Sequence, residues 1–319
     1  MRFRVLTACL FCGFFLLPGQ SPAQPLVAVS IRPLHSLAAG VMEGVGDPEL
    51  IFKSGASPHS ASLRPSQARL LSRAGVVFWA GALLEPHLGK ALTAMETGHI
   101  LALHRAAGMV LLRPRPAGRG EFPPFPLQGR GKVEPGTETG SGGRAAFDPH
   151  YWLDPRNARV MVAAMAKVLA LRDPPNAGAY RKNSLRMGKA LERLERELAA
   201  RLAPLAGRPY LVFHDAYQYF ERRFGLRPLG AIVVDGLGQP GVRRISNLLR
   251  LIRSRRVKCV FTEPQFPARI LRALTGEAAI VRGVLDPLGS SLKPGKALYF
   301  RMMRQMGESF RRCLMAERP

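Results

Sequence analysis

The feature that most constrains this chain is a long helical pattern near its centre. Asp173 and Pro174 are typical of a helix start, and leucines then recur at spacings of three and four residues, at Leu191, Leu194, Leu198, Leu202 and Leu205. This pattern predicts a helix within residues 173–206, and a helix of about 30 residues extends roughly 45 Å. Such a helix is long enough to cross from one domain to another.

Short apolar runs alternate with helical segments on both sides of this helix. Residues 24–172 contain the runs "LVAVSI", "ELIFK", "VVFWAG" and "ILALH", and residues 207–319 contain "PYLVF", "GAIVV", "KCVFTE" and "AAIVRGVL". This alternation is typical of parallel sheets covered by helices. The sequence therefore predicts an α/β protein of two lobes, each a mainly parallel sheet with flanking helices, joined by a single long rigid helix.

Composition changes sharply in residues 113–144, which lie within the first predicted lobe. These 32 residues include eight glycines and six prolines, and apolar side chains are few. Such a segment buries too little apolar surface to offset the entropy lost on ordering. We expect a flexible surface loop here.

The first 23 residues have the pattern of a secretory signal peptide. Arg2 and Arg4 precede the apolar run "VLTACLFCGFFLL", and small residues follow at Ser21 and Ala23. We therefore expect an exported protein that begins near Gln24 and has no stable membrane insertion after cleavage. A retained amino-terminal anchor is the alternative, and it would leave uncleaved protein in a membrane fraction.

Two cysteines, Cys259 and Cys313, remain after removal of the predicted signal peptide. A single pair in an exported protein favours one disulfide, with two buried thiols as the alternative. This disulfide would attach the terminal helix to the second lobe.

The chain is strongly basic, with a formal net charge of +25, and loss of Arg2 and Arg4 leaves 25 − 2 = +23. This charge makes nucleic acid, anionic lipid and acidic polysaccharide conceivable partners. The arginines are dispersed, however, and the densest run, "RSRRVK" at 253–258, has no interleaved aromatic residues. We interpret the charge as an arginine-rich solvated surface and expect no nucleic-acid partner.

Four residues that can bind a metal follow predicted strands or the glycine-rich segment: His59, His150, His214 and Asp286. Ligands of open parallel sheets bind beyond the carboxyl ends of the strands. Three imidazoles and one carboxylate suit zinc, whereas manganese prefers more oxygen ligands. Because these residues are far apart in sequence, spacing alone leaves scattered structural histidines as an equal alternative.

Several motifs resemble one known family. "GASPHSASLRPSQARLLSRAGVVFWAG", "HYWLDPRNA", "VFHDAYQYFERRFGL", "CVFTEPQF" and "LDPLG" are similar, in order, to motifs of the solute-binding component of bacterial zinc-uptake ABC transporters. This is the zinc-uptake protein A branch of the cluster A-I binding proteins. The resemblance implies a periplasmic, monomeric protein that holds Zn²⁺ between two lobes and delivers it to an inner-membrane ABC permease.

The resemblance also assigns the site residues. It implies that His59, His150 and His214 are zinc ligands, with Asp286 as a candidate fourth ligand. Manganese-binding relatives usually have glutamate at the position of His214, so this histidine favours zinc. Glu263, after the strand "CVFTE", is either an acceptor that orients an imidazole or a loop cap.

The chain departs from the family pattern at two places. Some relatives have an acidic residue before the first histidine, where this chain has Pro58, so Asp286, a water molecule or both would complete the coordination. Many relatives have a histidine-rich loop, but residues 113–144 contain no histidine. A secondary role of this loop in zinc capture is therefore not expected.

The remaining histidines and the two tryptophans are weaker candidates. His35 follows the first predicted strand and could line the cleft, whereas surface or helix-end positions are expected for His87, His99 and His104. Trp79 and Trp152 are expected in the core.

Three other functions remain as alternatives. A zinc hydrolase is disfavoured because the chain lacks a His-Glu-x-x-His helix and a Gly-x-Ser-x-Gly elbow, so we do not expect an enzyme. A manganese carrier or metal-dependent adhesin would use the same scaffold. An exported protein that binds polyanions would use the positive charge.

Overall fold

A computed structural model describes most of the chain after the predicted signal peptide, namely residues 24–53, 57–95, 98–116, 122, 146–233, 241–266 and 280–316. The predicted signal peptide and most of the predicted loop 113–144 lie outside these residues. Among the helices that are described, none combines the length and the apolar character needed to cross a membrane.

The first sheet lies in the amino-terminal half. Its strands are β1 (Val27–Val29), β2 (Glu49–Leu50), β3 (Val76–Trp79) and β4 (His99–Ala102), in the spatial order β2-β1-β3-β4. All of its strand pairs are parallel. The inner strands β1 and β3 are buried along their whole length, as expected for a sheet covered on both faces.

The second sheet has the same arrangement in the carboxyl-terminal half. Its strands are β5 (Tyr210–His214), β6 (Gly230–Val233), β7 (Cys259–Thr262) and β8 (Val281–Val284), in the order β6-β5-β7-β8, again all parallel. Each of the eight strands lies within or next to one apolar run of the sequence. The predicted two-lobe α/β class is therefore confirmed.

Helices fill the connections between strands. The described helices are α1 (Arg32–Val41), α2 (Pro65–Arg73), α3 (Pro86–Thr93), α4 (Pro155–Arg172), α5 (Ala177–Leu202), α6 (Gln218–Phe224), α7 (Val242–Ser254) and α8 (Leu298–Met315). Short 3₁₀ turns lie at Leu103–Arg105, Tyr151–Leu153, Pro174–Asn176 and Ala203–Leu205. Prolines occupy the first turn of α1, α2, α3 and α4, where their missing N–H leaves no hydrogen bond unmade.

Helix α5 is the long helix that the leucine spacing predicts. The leucines of its apolar stripe, from Leu191 to Leu202, are buried, and the helix packs on α1, α4 and α8. The stripe belongs to one large core that includes residues of both sheets. Because one continuous core joins the lobes through this layer of helices, large bending between them would expose apolar surface.

Helix α8 also connects the two lobes. It packs on α1 of the first lobe and on β8 of the second. Tyr299 of α8 donates two hydrogen bonds to the first lobe: its backbone N–H donates to Ser36 Oγ at 2.9 Å, and its hydroxyl donates to Trp152 O at 2.7 Å. The disulfide Cys259–Cys313 ties α8 to β7, with the two Cα atoms 5.7 Å apart, so the predicted pairing is confirmed.

Two described residues of the predicted flexible segment are buried against the second lobe. Arg115 is 8% exposed and Phe122 is 7% exposed, and the N–H of Phe122 donates to Leu229 O at 2.8 Å. The prediction of a surface loop is therefore wrong at these two positions. Composition does not predict the burial of Arg115, because a count of apolar side chains does not record its ion pairs with the distant residues Asp215 and Glu221.

Candidate metal centre

Three of the predicted ligands lie in loops or at the end of a strand. His59 lies between β2 and α2, His150 lies directly before the 3₁₀ turn Tyr151–Leu153, and His214 ends β5. His150 and His214 are each 4% exposed. Because side chains alternate between the two faces of a strand, His214 lies on the same face of β5 as Tyr210 and Val212. The side chains of Tyr210 and Val212 are buried in the large core shared by the lobes.

The structure brings these three imidazoles together. One ring nitrogen of each lies within 4.8 Å of the others, and this is the one such group of three or more possible ligands among the described residues. His59 Nε2 and His150 Nε2 are 3.3 Å apart. Two nitrogens bound tetrahedrally to one zinc ion at 2.0–2.1 Å would be separated by about 3.4 Å. The spacing of this pair therefore suits a single zinc ion.

A buried aspartate, Asp148, orients His150. Its Oδ1 accepts hydrogen bonds from the backbone N–H of His150 at 3.0 Å and from His150 Nδ1 at 2.8 Å. Nε2 of His150 is thereby directed at the other histidines. Burial lowers the pKa of His150 well below its usual value, with the nearby His214 adding to the effect, so the ring is neutral. The sequence reasoning missed Asp148, although its position two residues before His150 is a usable signal.

Glu263 is placed to orient His214. Its Oε1 lies 3.5 Å from His214 Nδ1, and both side chains are buried. His214 Nε2 is buried and has no hydrogen-bond partner among the described residues, so this nitrogen is free to bind an ion. Burial alone would lower the pKa of His214, but the charge of Glu263 and its hydrogen bond outweigh burial and raise it.

Asp286 does not join the three histidines. Its Oδ2 accepts hydrogen bonds from Ser290 N at 2.6 Å and Ser290 Oγ at 2.8 Å, and its Oδ1 accepts from Gln265 Nε2 at 3.1 Å and Leu288 N at 3.2 Å. Both carboxylate oxygens therefore hold the loop that follows β8. Within the described structure, Asp286 acts as a loop cap beside the centre.

A buried ionic network lies behind the histidines. Arg115 donates to Asp215 Oδ1 at 2.7 Å and also to Glu221, whose Oε1 accepts a hydrogen bond from Tyr210 at 3.0 Å. Burial raises the pKa of Asp215 to about 6 and that of Glu221 to about 7, while Arg115 opposes both shifts. Asp215 directly follows His214, so this network fixes the end of β5.

The histidines line a small cavity between the lobes. The space open to the centre of a water molecule is about 20 Å³. Its other walls include Pro58, Trp152, Glu263, Phe266 and Leu288. A single water molecule needs about 10–15 Å³ by this measure, so the cavity has room for a small ion or a water molecule.

The other four histidines lie outside this group. His35 is buried, with Nε2 2.9 Å from Pro48 O, and His99 is half-buried with Nδ1 3.2 Å from Arg172. His87 is exposed, as expected. His104 is 1% exposed, with Nδ1 3.2 Å from Ala80 O, and it lies in the 3₁₀ turn Leu103–Arg105, so of the two expected positions the surface one is wrong. Trp79 and Trp152 are buried as predicted.

Comparison with known proteins identifies relatives along almost the whole chain. The profile of the family "ZnuA: Zinc-uptake complex component A periplasmic" matches residues 27–313. The chain is 38% identical to the high-affinity zinc uptake system protein ZnuA of Brucella abortus (strain 2308), over 95% of this chain and 95% of the relative. It is 32% identical to the protein of the same name from Paracoccus denitrificans (strain Pd 1222), over 98% of both chains.

A solved structure has the same fold. The crystal structure of a ZnuA superposes with a TM-score of 0.74 at 24% sequence identity, and covers 90% of this chain and 98% of that one. On the evidence of the matched profile and of these relatives, the chain belongs to the ZnuA family, the periplasmic component A of zinc-uptake complexes.

Proposed function

We propose that this protein binds one zinc ion with high affinity through His59, His150 and His214 in the periplasm and delivers it to an inner-membrane ABC permease. The observation that carries the proposal is the group of three imidazole nitrogens within 4.8 Å of one another. Its relatives are named as high-affinity zinc uptake proteins, which supports zinc as the cargo. We propose that it works as a monomer, because the three histidines come from one chain.

The donor set favours zinc over manganese. Three nitrogens and an open fourth position are typical of zinc, whereas manganese is usually bound by more oxygen atoms. Because Asp286 is engaged by its own loop, we propose that a water molecule in the small cavity completes the coordination. Glu263 and Asp148 then act on the imidazoles by accepting their Nδ1 protons.

The charges around the centre favour a bound cation. His150 is neutral, and Asp148, Asp215, Glu221 and Glu263 are all buried behind the histidines, with Arg115 as the buried cation of the group. A divalent ion between the imidazoles would be attracted by the carboxylates that are ionised. Binding also requires neutral histidines, so uptake of the ion releases any proton on His214.

Transport without catalysis is the function that the cavity supports. A zinc-bound water could in principle attack an ester or peptide. The cavity at the histidines is small, about 20 Å³, and this size favours an ion over a bound ester or peptide. We therefore propose that the protein is a carrier and not an enzyme.

Chelator competition with two matched histidine variants tests the proposal. Replacing His214 by alanine removes one of three nitrogen ligands and should weaken zinc binding by more than about 100-fold, beyond the 10- to 100-fold effect typical of groups that only orient ligands. Replacing the exposed His87 by alanine should leave the affinity unchanged. Equal, small losses in both variants would exclude His214 as a ligand.

A further inference from the structure

Positively charged side chains cluster on α7 and on the turn that follows it. Between Asp235 and Glu263 the sequence has no acidic residue, yet it has seven basic ones: Arg243, Arg244, Arg250, Arg253, Arg255, Arg256 and Lys258. This includes the run that stands out in the sequence as its densest cluster of charge. The metal centre uses none of these residues.

The helix is fixed to the protein by its apolar side. Leu248, Leu251 and Ile252 are buried in the smaller core, together with apolar residues of the second sheet. Arg244 is half-buried and its guanidinium donates to Ala231 O at 2.6 Å and Ile232 O at 2.8 Å, so this arginine supports the fold. The other six basic residues are exposed, and we call them the basic face: Arg243, Arg250, Arg253, Arg255, Arg256 and Lys258.

In the turn after α7, Arg256 has the left-handed backbone conformation that glycine usually adopts. Arg256 has φ 50°, and within the described residues it is the only non-glycine residue with positive φ. The N–H of Val257 donates to Ile252 O at 3.0 Å across this turn. Helix α6 ends with the same six-residue bond, from Leu226 N to Glu221 O at 2.9 Å, but there the left-handed position is Gly225.

This contrast within one molecule points to a role for the Arg256 side chain. Glycine adopts the left-handed conformation without a clash, whereas any side chain is strained there. Strained positions of this kind are enriched where the side chain serves a function. Arg256 adds a positive charge at the centre of the basic face, at the expense of local stability.

We infer that the basic face binds the surface of a membrane that contains anionic phospholipids. The charges extend along a helix of 13 residues, about 20 Å, and its following turn. Clusters of four to eight basic residues on a helix are typical of attraction to anionic headgroups, with no specific pocket required. An extended array of this kind suits a layer of mobile phosphates better than the fixed carboxylates of one protein partner.

Adsorption of this kind would be electrostatic and would leave the fold intact. The apolar side of α7 formed by Leu248, Leu251 and Ile252 is already buried in the protein core, so this side is not available to insert into a bilayer. The turn at 253–258 leads into the amino-terminal end of β7, whereas His214 and Glu263 lie at the carboxyl ends of β5 and β7. Membrane binding and zinc binding therefore use opposite edges of the second sheet and should be independent.

Co-sedimentation with vesicles tests the inference, using the mature protein and two variants of equal charge. One variant replaces four residues of the basic face by glutamine (R250Q, R253Q, R255Q and R256Q). The control replaces four exposed basic residues of α5 by glutamine (R181Q, K182Q, K189Q and R193Q). The vesicles contain phosphatidylcholine alone or mixed with phosphatidylglycerol, at about 0.1 M and about 1 M salt, where the Debye length is about 10 Å and 3 Å.

The unchanged protein should bind the mixed vesicles at low salt, and should release them at high salt. The basic-face variant should lose about tenfold or more of this binding, while the α5 control should retain most of it. Zinc affinity should be the same in all three proteins, which separates this inference from the proposed zinc function. Equal losses in both variants, binding to phosphatidylcholine alone, or no binding by the unchanged protein would overturn the inference.

A single substitution, R256G, tests whether a loss of vesicle binding could come from a folding defect. Glycine should relieve the left-handed strain, so the thermal midpoint of unfolding should rise while vesicle binding falls. A variant that lost vesicle binding through misfolding would show a lower midpoint. If R256G bound vesicles as well as the unchanged protein, Arg256 would have no part in membrane binding, and its strained backbone would not be explained by that role.

Discussion

Asp148 holds His150 through two contacts, one to its backbone N–H and one to its imidazole Nδ1. Burial raises the pKa of Asp148 to about 7, and the carboxylate strengthens the imidazole as a ligand when it is ionised. Replacing Asp148 by asparagine keeps an acceptor but removes this carboxylate. We expect zinc affinity to fall by about 10- to 100-fold, the usual effect of losing such a partner. Chelator competition measures this change.

Asp173 provides a matched control for the Asp148 variant. It is also a buried aspartate, but it accepts hydrogen bonds from Tyr180 at 2.6 Å and Asn176 at 2.9 Å, away from the centre. Its replacement by asparagine should change stability and leave zinc affinity unaltered. If the two variants had the same zinc affinity, Asp148 would have no part in orienting the ligand.

Asp286 gives a second test at the residue scale. Replacing it by alanine removes the acceptor for Ser290 N and Leu288 N, so the free energy of unfolding should fall by about 1–3 kcal/mol. Zinc affinity should change by only a few-fold, because water is proposed to complete the coordination. A loss of zinc affinity as large as that of the His214 variant would instead make Asp286 a ligand.

These residues show which parts of the site a sequence can predict. His59 and His214 follow predicted strands and His150 follows the glycine-rich segment, and it is the family resemblance that joins them into one predicted site; the structure brings them together. Asp286 lies in one of these motifs as well, but its carboxylate is engaged by its own loop. Which of several adjacent polar groups turns toward the centre depends on side-chain contacts that a motif does not specify.

At the scale of elements, Arg115 joins the start of the glycine-rich segment to the second lobe. It pairs with Asp215 and Glu221, and its Cζ lies 4.6 Å from the centre of the Phe122 ring. Replacing Arg115 by methionine would leave two buried carboxyl groups without their cation. We expect a loss of about 3–5 kcal/mol in the free energy of unfolding, measured by urea denaturation.

The exposed Arg113 is the control for this element. Its replacement by methionine removes the same charge two residues earlier and should change the free energy of unfolding by less than about 0.5 kcal/mol. Similar losses in both variants would mean that the buried network contributes nothing beyond net charge.

Strands and helices follow the sequence closely, whereas the contacts of Arg115 do not. Alternating apolar runs and the leucine stripe of α5 are local patterns, and burial in parallel sheets and helix packing enforces them. The pairing of Arg115 with Asp215 spans 100 residues, and a segment rich in glycine and proline gives no local sign of it. Composition therefore gives no sign of the two described residues, Arg115 and Phe122, that attach this segment to the second lobe.

For the molecule as a whole, the buried carboxyl group of Glu85 links stability to pH at a place away from the metal centre and its ionic network. Glu85 directly precedes α3 and is 1% exposed, and its Oε2 accepts a hydrogen bond from Ala80 N, just after β3, at 2.8 Å. Burial raises the pKa of Glu85 from 4.5 to about 7, although backbone hydrogen bonds oppose the shift. The folded protein therefore keeps a proton on Glu85 at pH values where the unfolded chain has lost it.

The sign of the resulting pH dependence follows from this difference in bound protons. Between pH 4.5 and about 7 the folded state binds one more proton at Glu85 than the unfolded state, so rising pH destabilises the fold. The stability that protonated Glu85 contributes is fully present below pH 4.5 and is lost by about pH 7, and the pKa shift corresponds to about 3 kcal/mol in the free energy of unfolding.

Replacing Glu85 by glutamine keeps a neutral side chain and should remove this loss of stability. Urea denaturation of metal-free protein at pH 5 and pH 8 should give a smaller decrease for the Glu85 variant than for the unchanged protein, while replacing the exposed Glu49 by glutamine should leave the decrease as it was. If the Glu85 and Glu49 variants lost stability equally between the two pH values, the buried carboxyl of Glu85 would already be ionised in the fold.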